Sequence, residues 1–213
     1  MRGLLITLEG VEGSGKTTQR LRLAAHLRAR GVEVVETSEP DGTPLGVAAV
    51  RAVIERDGPP PTPLAQTFLF MAARQQHVAH VIRPALDRGA VVISDRYTDA
   101  TLAYQGYAQG VDLHTIRELN ALATGGVQPD LTLVFDLDPA AGIGRIRGRQ
   151  LDTFEKMDLG FHRRVREGYL EIARSDKSRV LVLPADRDPD VLQADIARAV
   201  GELLDRREAA HGR

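Results

Sequence analysis

The stretch Leu4-Leu5-Ile6-Thr7-Leu8-Glu9-Gly10-Val11-Glu12-Gly13-Ser14-Gly15-Lys16-Thr17-Thr18 decides how the rest of the chain is read. Its first five residues form a short apolar run of the kind expected for a strand covered on both faces. After Glu9, the eight residues Gly10–Thr17 fit the pattern G-x-x-x-x-G-K-[ST] in full and lead straight into a helical pattern. Glycines at these positions let the backbone fold around an anion, so that successive N–H groups point inward. The following helix N-terminus adds its partial positive charge. Gly10, Val11, Glu12, Gly13, Ser14, Gly15, Lys16, Thr17 and Thr18 are therefore the expected binding loop for the phosphates of ATP or a similar nucleoside triphosphate. Lys16 is expected to reach the β- and γ-phosphates, and the Thr17 hydroxyl to ligate Mg²⁺.

Outward from this loop, short apolar runs alternate with longer helical patterns, which points to an α/β fold with a mostly parallel sheet. Strands are expected over 4–8, 32–36, 91–94, 131–137 and 179–183, and helices over 17–30, 44–55, 62–88, 112–123, 139–147, 161–175 and 189–207. Gly31 and Gly89 stand where helix C-caps should fall, and Pro44, Pro139 and Pro189 near helix starts, where a missing N–H costs little. The expected architecture is a P-loop NTPase three-layer fold: a five-stranded parallel sheet flanked by helices, in a single domain spanning residues 1–213. Residues 142–156, crowded with arginine and glycine, read as a short mobile lid.

Composition narrows the possibilities. The 213 residues carry 28 Lys+Arg against 29 Asp+Glu, a net charge of −1, which leaves no electrostatic footprint for a nucleic-acid backbone. There is no cysteine, which removes disulfide scaffolds, zinc fingers and thiolate nucleophiles. No apolar run approaches the ~20 residues of a membrane helix, and the N-terminus lacks a signal-peptide pattern. A cytoplasmic protein with small-molecule partners, no nucleic acid and no membrane is the expectation. None of the six histidines falls in a ligand spacing, so they read as surface or local hydrogen-bonding groups. Asp136 and Asp138, ahead of Pro139, read as helix caps rather than catalytic groups.

The run Val91-Val92-Ile93-Ser94-Asp95-Arg96-Tyr97 supplies the second element of chemistry. A carboxylate at the C-terminal end of a central strand faces the crevice where ligands of open α/β sheets bind. Asp95 can support Mg²⁺ or orient an attacking oxygen. Arg96 can clamp phosphoryl oxygens with its planar fork. The guanine-reading N-K-x-D motif of GTPases is absent, and an arginine follows the strand-end aspartate where mechanical ATPases usually carry a glutamate.

Five stretches then resemble, in order, those of the bacterial thymidylate kinases within the nucleoside monophosphate kinase group: residues 8–18, Glu39-Pro40-Asp41-Gly42-Thr43, Phe70-Met71-Ala72-Ala73-Arg74, Asp95-Arg96-Tyr97 with Ala103-Tyr104-Gln105-Gly106, and Gln128-Pro129-Asp130-Leu131-Thr132. The resemblance implies transfer of the γ-phosphoryl of ATP to dTMP, giving dTDP and ADP in dTTP synthesis, with Mg²⁺ as cofactor. It implies that Lys16, Asp95 and Arg96 serve catalysis and that Thr17 and Asp95 serve the metal. For the acceptor it implies Glu12 near the sugar hydroxyl, Glu39 and Pro40 in the wall, Phe70 stacked on thymine and Arg74 bonded to a base carbonyl. Thr101 and Gln105 would face the base edge, Tyr104 the sugar 2′ position, and Arg96 the acceptor phosphate. A homodimer is implied in the same way. The alternatives are a kinase for another (deoxy)nucleoside monophosphate or a regulatory ATPase of the same loop class.

The lid holds Arg145, Arg147 and Arg149. Phosphoryl transfer spreads charge over equatorial oxygens, and an inserted arginine can accelerate it roughly 10³–10⁵-fold. Related enzymes draw this arginine from the cradle or from the lid. Gly13 occupies the cradle position, so the resemblance is to the lid class, with Arg149 first and Arg145 and Arg147 next. Two departures stand out: Ser38 and Thr153 replace arginines of the usual family pattern.

Overall fold

The computed structural model describes residues 2–54, 59–148 and 150–211, the last two of these without their side chains. Strands β1 (Leu4–Gly10), β2 (Val34–Ser38), β3 (Val91–Asp95), β4 (Leu131–Asp136) and β5 (Val180–Pro184) form one sheet in the order β2-β3-β1-β4-β5. Every neighbouring pair is parallel. This is the expected five-stranded parallel α/β fold. Every residue of central β1 is buried, as its continuous apolar run requires. Leu5, Ile6, Leu8, Ile93 and Leu133 are fully enclosed.

Helices α1 (Lys16–Ala29), α2 (Pro44–Ile54), α3 (Pro63–His77), α4 (Arg83–Asp87), α5 (Thr98–Thr101), α6 (Leu113–Thr124), α7 (Pro139–Arg145), α8 (Leu159–Ser175) and α9 (Pro189–His211) connect and flank the strands. Pro44, Pro139 and Pro189 open their helices, and Gly31 and Gly89 take positive φ, as their positions suggested. Asp138 caps α7 through the Ala140 N–H at 2.8 Å. Asp136 does not cap; it takes a bidentate pair from Arg166 at 2.6 and 3.0 Å.

Two departures from the expected elements have physical causes. The long helix expected over 62–88 is not uniform: Val78–Ile82 form a π-helical turn, in which the Arg83 N–H reaches Val78 O. Pro84 follows at once; it lacks an N–H and crowds the carbonyl four residues back, and a wide turn upstream relieves that clash. The second departure is the helical segment after β3, α5 running into a π turn over Leu102–Ala108, where no helix was expected. It packs against α8 so closely that a Cβ on Gly168 would lie 2.8 Å from the Tyr107 Cβ. The segment 142–156, apart from Arg149, is described by the structure. It begins within α7, and Asp152 and Glu155 exchange reciprocal side-chain to backbone bonds at 2.9 and 2.8 Å.

Candidate active site

The loop between β1 and α1 sits at the C-terminal edge of the sheet. Gly10, Gly13 and Gly15 take φ of 142°, 71° and 93°, a region that side chains resist. Crowding adds to this at two of them. A Cβ on Gly10 would stand 2.7 Å from Phe135 O, and one on Gly13 would stand 2.2 Å from Gly142 O in α7. A Cβ on Gly142 would in turn meet Glu12 O at 2.2 Å. Cradle and α7 thus touch backbone to backbone.

Lys16 is buried, and its ammonium donates to Gly10 O at 2.9 Å and Val11 O at 3.0 Å. Burial, and next to it the Arg96 charge, pull its pKa below the usual lysine value. The Thr17 hydroxyl donates to Asp95 Oδ2 at 3.0 Å, while Asp95 Oδ1 is buried without a partner. A hydroxyl beside a carboxylate oxygen with spare acceptor capacity is a hard-oxygen set that suits Mg²⁺. Among the described residues no group of three or more His, Asp or Glu side chains is arranged to hold a metal.

A cleft of about 600 Å³ opens over this loop, lined by residues 12–19 together with Asp95, Arg96, Arg145, Arg187, Pro189 and Leu192. Arg145 Nη1 donates to Gly13 O at 3.3 Å and Ala185 O at 3.1 Å, so this lid arginine is tied to the cradle. Arg147 is exposed and does not line the cleft. Arg149 lies outside the described residues.

A second cavity of about 110 Å³ adjoins the first. It gathers Glu12, Glu39, Pro40, Phe70, Arg74, Arg96, Thr101, Tyr104 and Gln105, all nine acceptor-side residues singled out in the sequence. Arg74 is buried and bonded to protein: Nε to Glu39 Oε2 at 2.7 Å, Nη1 to Thr101 Oγ1 at 3.1 Å and Asn120 Oδ1 at 2.6 Å, and Nη2 to Tyr97 O at 2.9 Å. Nη1 also reaches Met71 Sδ at 3.7 Å, and one Nη2 N–H of the five is left without a bond to protein among the described residues. Gln105 Nε2, in contrast, is buried with no partner.

Only two of these side chains, Glu12 and Arg96, line both spaces. Arg96 holds a φ of 68°, unusual for a residue with a side chain. Its Nη2 donates to Glu12 Oε1 at 2.9 Å, and its guanidinium lies 5.7 Å from the centre of the Tyr104 ring. The Tyr104 hydroxyl also bonds Glu12 Oε1. Burial, then the Glu12 charge, push the Tyr104 phenol well up, so it is the donor in that bond. Burial alone would raise the Glu12 carboxyl. His162, Arg96, Lys16 and Tyr104 together hold it well below the usual carboxylate range.

Several site residues carried no recognisable signal in the sequence. Glu9, beneath the cradle, accepts the Tyr97 N–H at 2.7 Å and the Tyr169 hydroxyl at 2.9 Å. Burial, with Asp99 nearby, pushes its carboxyl up to about 8. Its bond to Tyr97 fixes the backbone immediately after Arg96. His77 and His162 are fully buried rather than on the surface. His77 sits between Glu39 Oε1 at 3.0 Å and Thr37 Oγ1 at 2.6 Å. Ile54, Tyr97, Ala100, Asp152 and Phe154 complete the second cavity. Thr153, at one of the missing-arginine positions, donates to Ile54 O at 3.1 Å and ties this strap to the end of α2.

The chain is similar to known proteins over nearly its whole length. The sequence model of the family described as thymidylate kinase matches residues 8–196. A thymidylate kinase of Deinococcus radiodurans is 50% identical over 202 residues, covering 94% of this chain and 98% of that protein. One from Nitratidesulfovibrio vulgaris is 46% identical over 209 residues, covering 94% and 97%. The crystal structure of a thymidylate kinase from Ehrlichia chaffeensis superposes with a TM-score of 0.78 at 33% identity, covering 94% of this chain and all of that one. With the cradle, the Asp95-Arg96 pair and the adjoining cavity all in one fold, this chain belongs to the thymidylate kinase family.

Proposed function

We propose that this chain transfers the γ-phosphoryl group of ATP to dTMP, giving dTDP and ADP as a step toward dTTP. The observation that carries the reading is the junction of the two spaces at Glu12 and Arg96. A triphosphate in the cradle and a monophosphate in the second cavity would meet there end to end.

In the transfer, an oxygen of the dTMP phosphate forms the new bond to the γ-phosphorus. The bond from that phosphorus to the β–γ bridging oxygen breaks, and ADP leaves with the electron pair. The acceptor phosphate is already ionised, so no strong general base is needed. Lys16 and the loop N–H groups hold the β- and γ-phosphates, and Arg96 aligns the acceptor phosphate. Thr17 and Asp95 would hold Mg²⁺, which when bound neutralises charge on the phosphate oxygens. A lid arginine, Arg149 first among the three, supplies positive charge to the equatorial oxygens. The lid, covering residues 142–156, excludes water and so suppresses wasteful hydrolysis. Phe70 stacks on the base, the free Gln105 amide and the last Arg74 N–H meet its polar edge, and Tyr104 crowds the sugar.

The same reading includes a homodimer in the cytoplasm. Its support is the exposed apolar side chains on two helices that pack together, Leu64 and Phe68 at i, i+4 on α3 and Leu122 on α6. Among the described residues no helix is long and apolar enough to cross a membrane. The deciding experiment separates nucleotides after incubation with ATP and each of dTMP, dUMP, dCMP, AMP and thymidine. ADP and dTDP formed in equal amounts, fastest with dTMP, is the expected result. ADP formed without any acceptor product would overturn it.

A further inference from the structure

Glu12 uses one carboxylate oxygen for Arg96 and Tyr104, and the other faces a buried histidine. His162 Nδ1 lies 3.4 Å from Glu12 Oε2, within ion-pair range, and neither that oxygen nor either ring nitrogen of His162 makes a hydrogen bond among the described residues. His162 stands on the first turns of α8, fully enclosed, with its ring edge-on to Phe161 at 5.4 Å between centres. The same oxygen pair therefore joins a titratable group in the interior to the arginine that faces both ligand spaces.

We propose that His162 is a positioning residue for the acceptor side: as an imidazolium it shares the Glu12 carboxylate and so frees Arg96 to turn toward the acceptor phosphate. The proposal rests on the transfer reading above. Arg96 donates to Glu12 Oε1 at 2.9 Å, and an N–H directed at a phosphate must weaken that bond. A cation at Oε2 reduces the charge that Glu12 offers to Arg96, so the exchange costs less. Loss of the imidazole proton leaves Arg96 as the main counter-charge and holds it back. Burial opposes the His162 charge, but Glu12 and the carbonyls of Met157 and Glu155 raise its pKa above the ordinary histidine value. The other charged or titratable groups around the pair are Glu9 and Lys16 from β1 and the cradle, Tyr104 from the π turn, Tyr169 from α8, and Asp152 and Glu155 from the strap.

The sign follows. The imidazolium is present below the raised pKa and is lost as pH rises through it, so KM for dTMP should climb with pH while kcat changes little. Measurements from about pH 7 upward lie above the second ionisation of a phosphate monoester, about 6, and that ionisation does not interfere. In the wild-type enzyme KM should rise on the order of tenfold once the pH has passed the His162 pKa found by the imidazole titration below, the range for one hydrogen bond to a charged group. His162→Gln keeps an N–H near Glu12 but cannot titrate, and its KM should be flat over that interval. A wild-type slope retained in His162→Gln would overturn the proposal, because a purely structural role would leave the pH profile in place. Imidazole NMR titration of the wild-type chain, with His162 identified through its contact to Phe161, gives a second test independent of turnover. A pKa at or below the ordinary value would also overturn the pairing. A wild-type chain making no dTDP would strike the transfer reading instead, and the imidazole titration would still decide the pairing.

Discussion

The floor of the first cleft is a contiguous stretch of backbone, with three glycines at positive φ and the N-terminus of α1, and only its walls come from distant segments, whereas the second cavity is closed throughout by side chains from six separate parts of the chain. In the first region Lys16 is bonded only within its own loop, to the Gly10 and Val11 carbonyls and the Ser14 hydroxyl, and its charge is disfavoured by burial. On the acceptor side Arg74 is locked into Glu39, Thr101, Asn120 and the Tyr97 carbonyl, with His77 behind Glu39. Binding and folding are therefore nearly separable in the first region and fused in the second. Phosphates need N–H groups that a short loop can present, while a base and sugar need a shaped wall.

Substitutions can break this contrast or sharpen it. Lys16→Ala should take turnover below detection while leaving the thermal midpoint within about 2 °C, since a small change in stability moves it only slightly. A large drop in the midpoint would erase the distinction drawn here. Arg149→Ala should lower kcat by at least about 10³-fold with little change in KM. Arg145→Ala and Arg147→Ala, tested alongside, should do less; a reversed order would move the transition-state role to another lid arginine. Arg74→Ala should destabilise by about 3–5 kcal/mol in urea denaturation, because it leaves the Glu39 carboxylate buried without its main counter-charge. A stable variant that merely loses affinity would put the acceptor side on the same footing as the donor side.

Glu9 lies beneath both regions and gives a pH-dependent test. Its folded pKa, about 8, exceeds its unfolded value near 4.5. Its contribution is complete below the unfolded value and is lost as pH rises through the folded one. Stability should fall by up to ~3 kcal/mol between about pH 6 and pH 8, and Glu9→Gln should flatten that fall. Unchanged curves in the variant would remove Glu9 as the source. The smallest effect expected belongs to the substrate. One methyl is worth ~1–3 kcal/mol, so dUMP should be turned over with kcat/KM about 10–200-fold below that of dTMP. No turnover of dUMP at all would show that the cavity reads more than methyl packing.

The same division explains what could be read from the amino-acid order. All five strands and the cradle are written in contiguous residues, so apolar runs and glycine spacing reveal them, although β2 begins two residues later than its apolar run suggests. The helical segment after β3 stayed hidden because Thr98-Asp99-Ala100-Thr101 has no apolar periodicity and the π turn that follows spoils a 3.6-residue repeat. Phe70, Arg74, Thr101, Tyr104 and Gln105 came from family resemblance, since nothing local distinguishes them from core or surface residues. Glu9, His77 and His162 carried no signal at all. Their importance comes from burial against residues 88, 38 and 150 positions away, Tyr97, Glu39 and Glu12.

The backbone contact between Gly13 and Gly142 has a mechanical consequence. Side chains normally cushion one segment against another by changing rotamer, and neither glycine has one. A cradle nudged by an arriving polyphosphate would pass its displacement undamped to α7, whose last residue is Arg145 and whose chain continues toward Arg147 and Arg149. A methyl at either position would act as a shim, forcing the cradle and α7 apart.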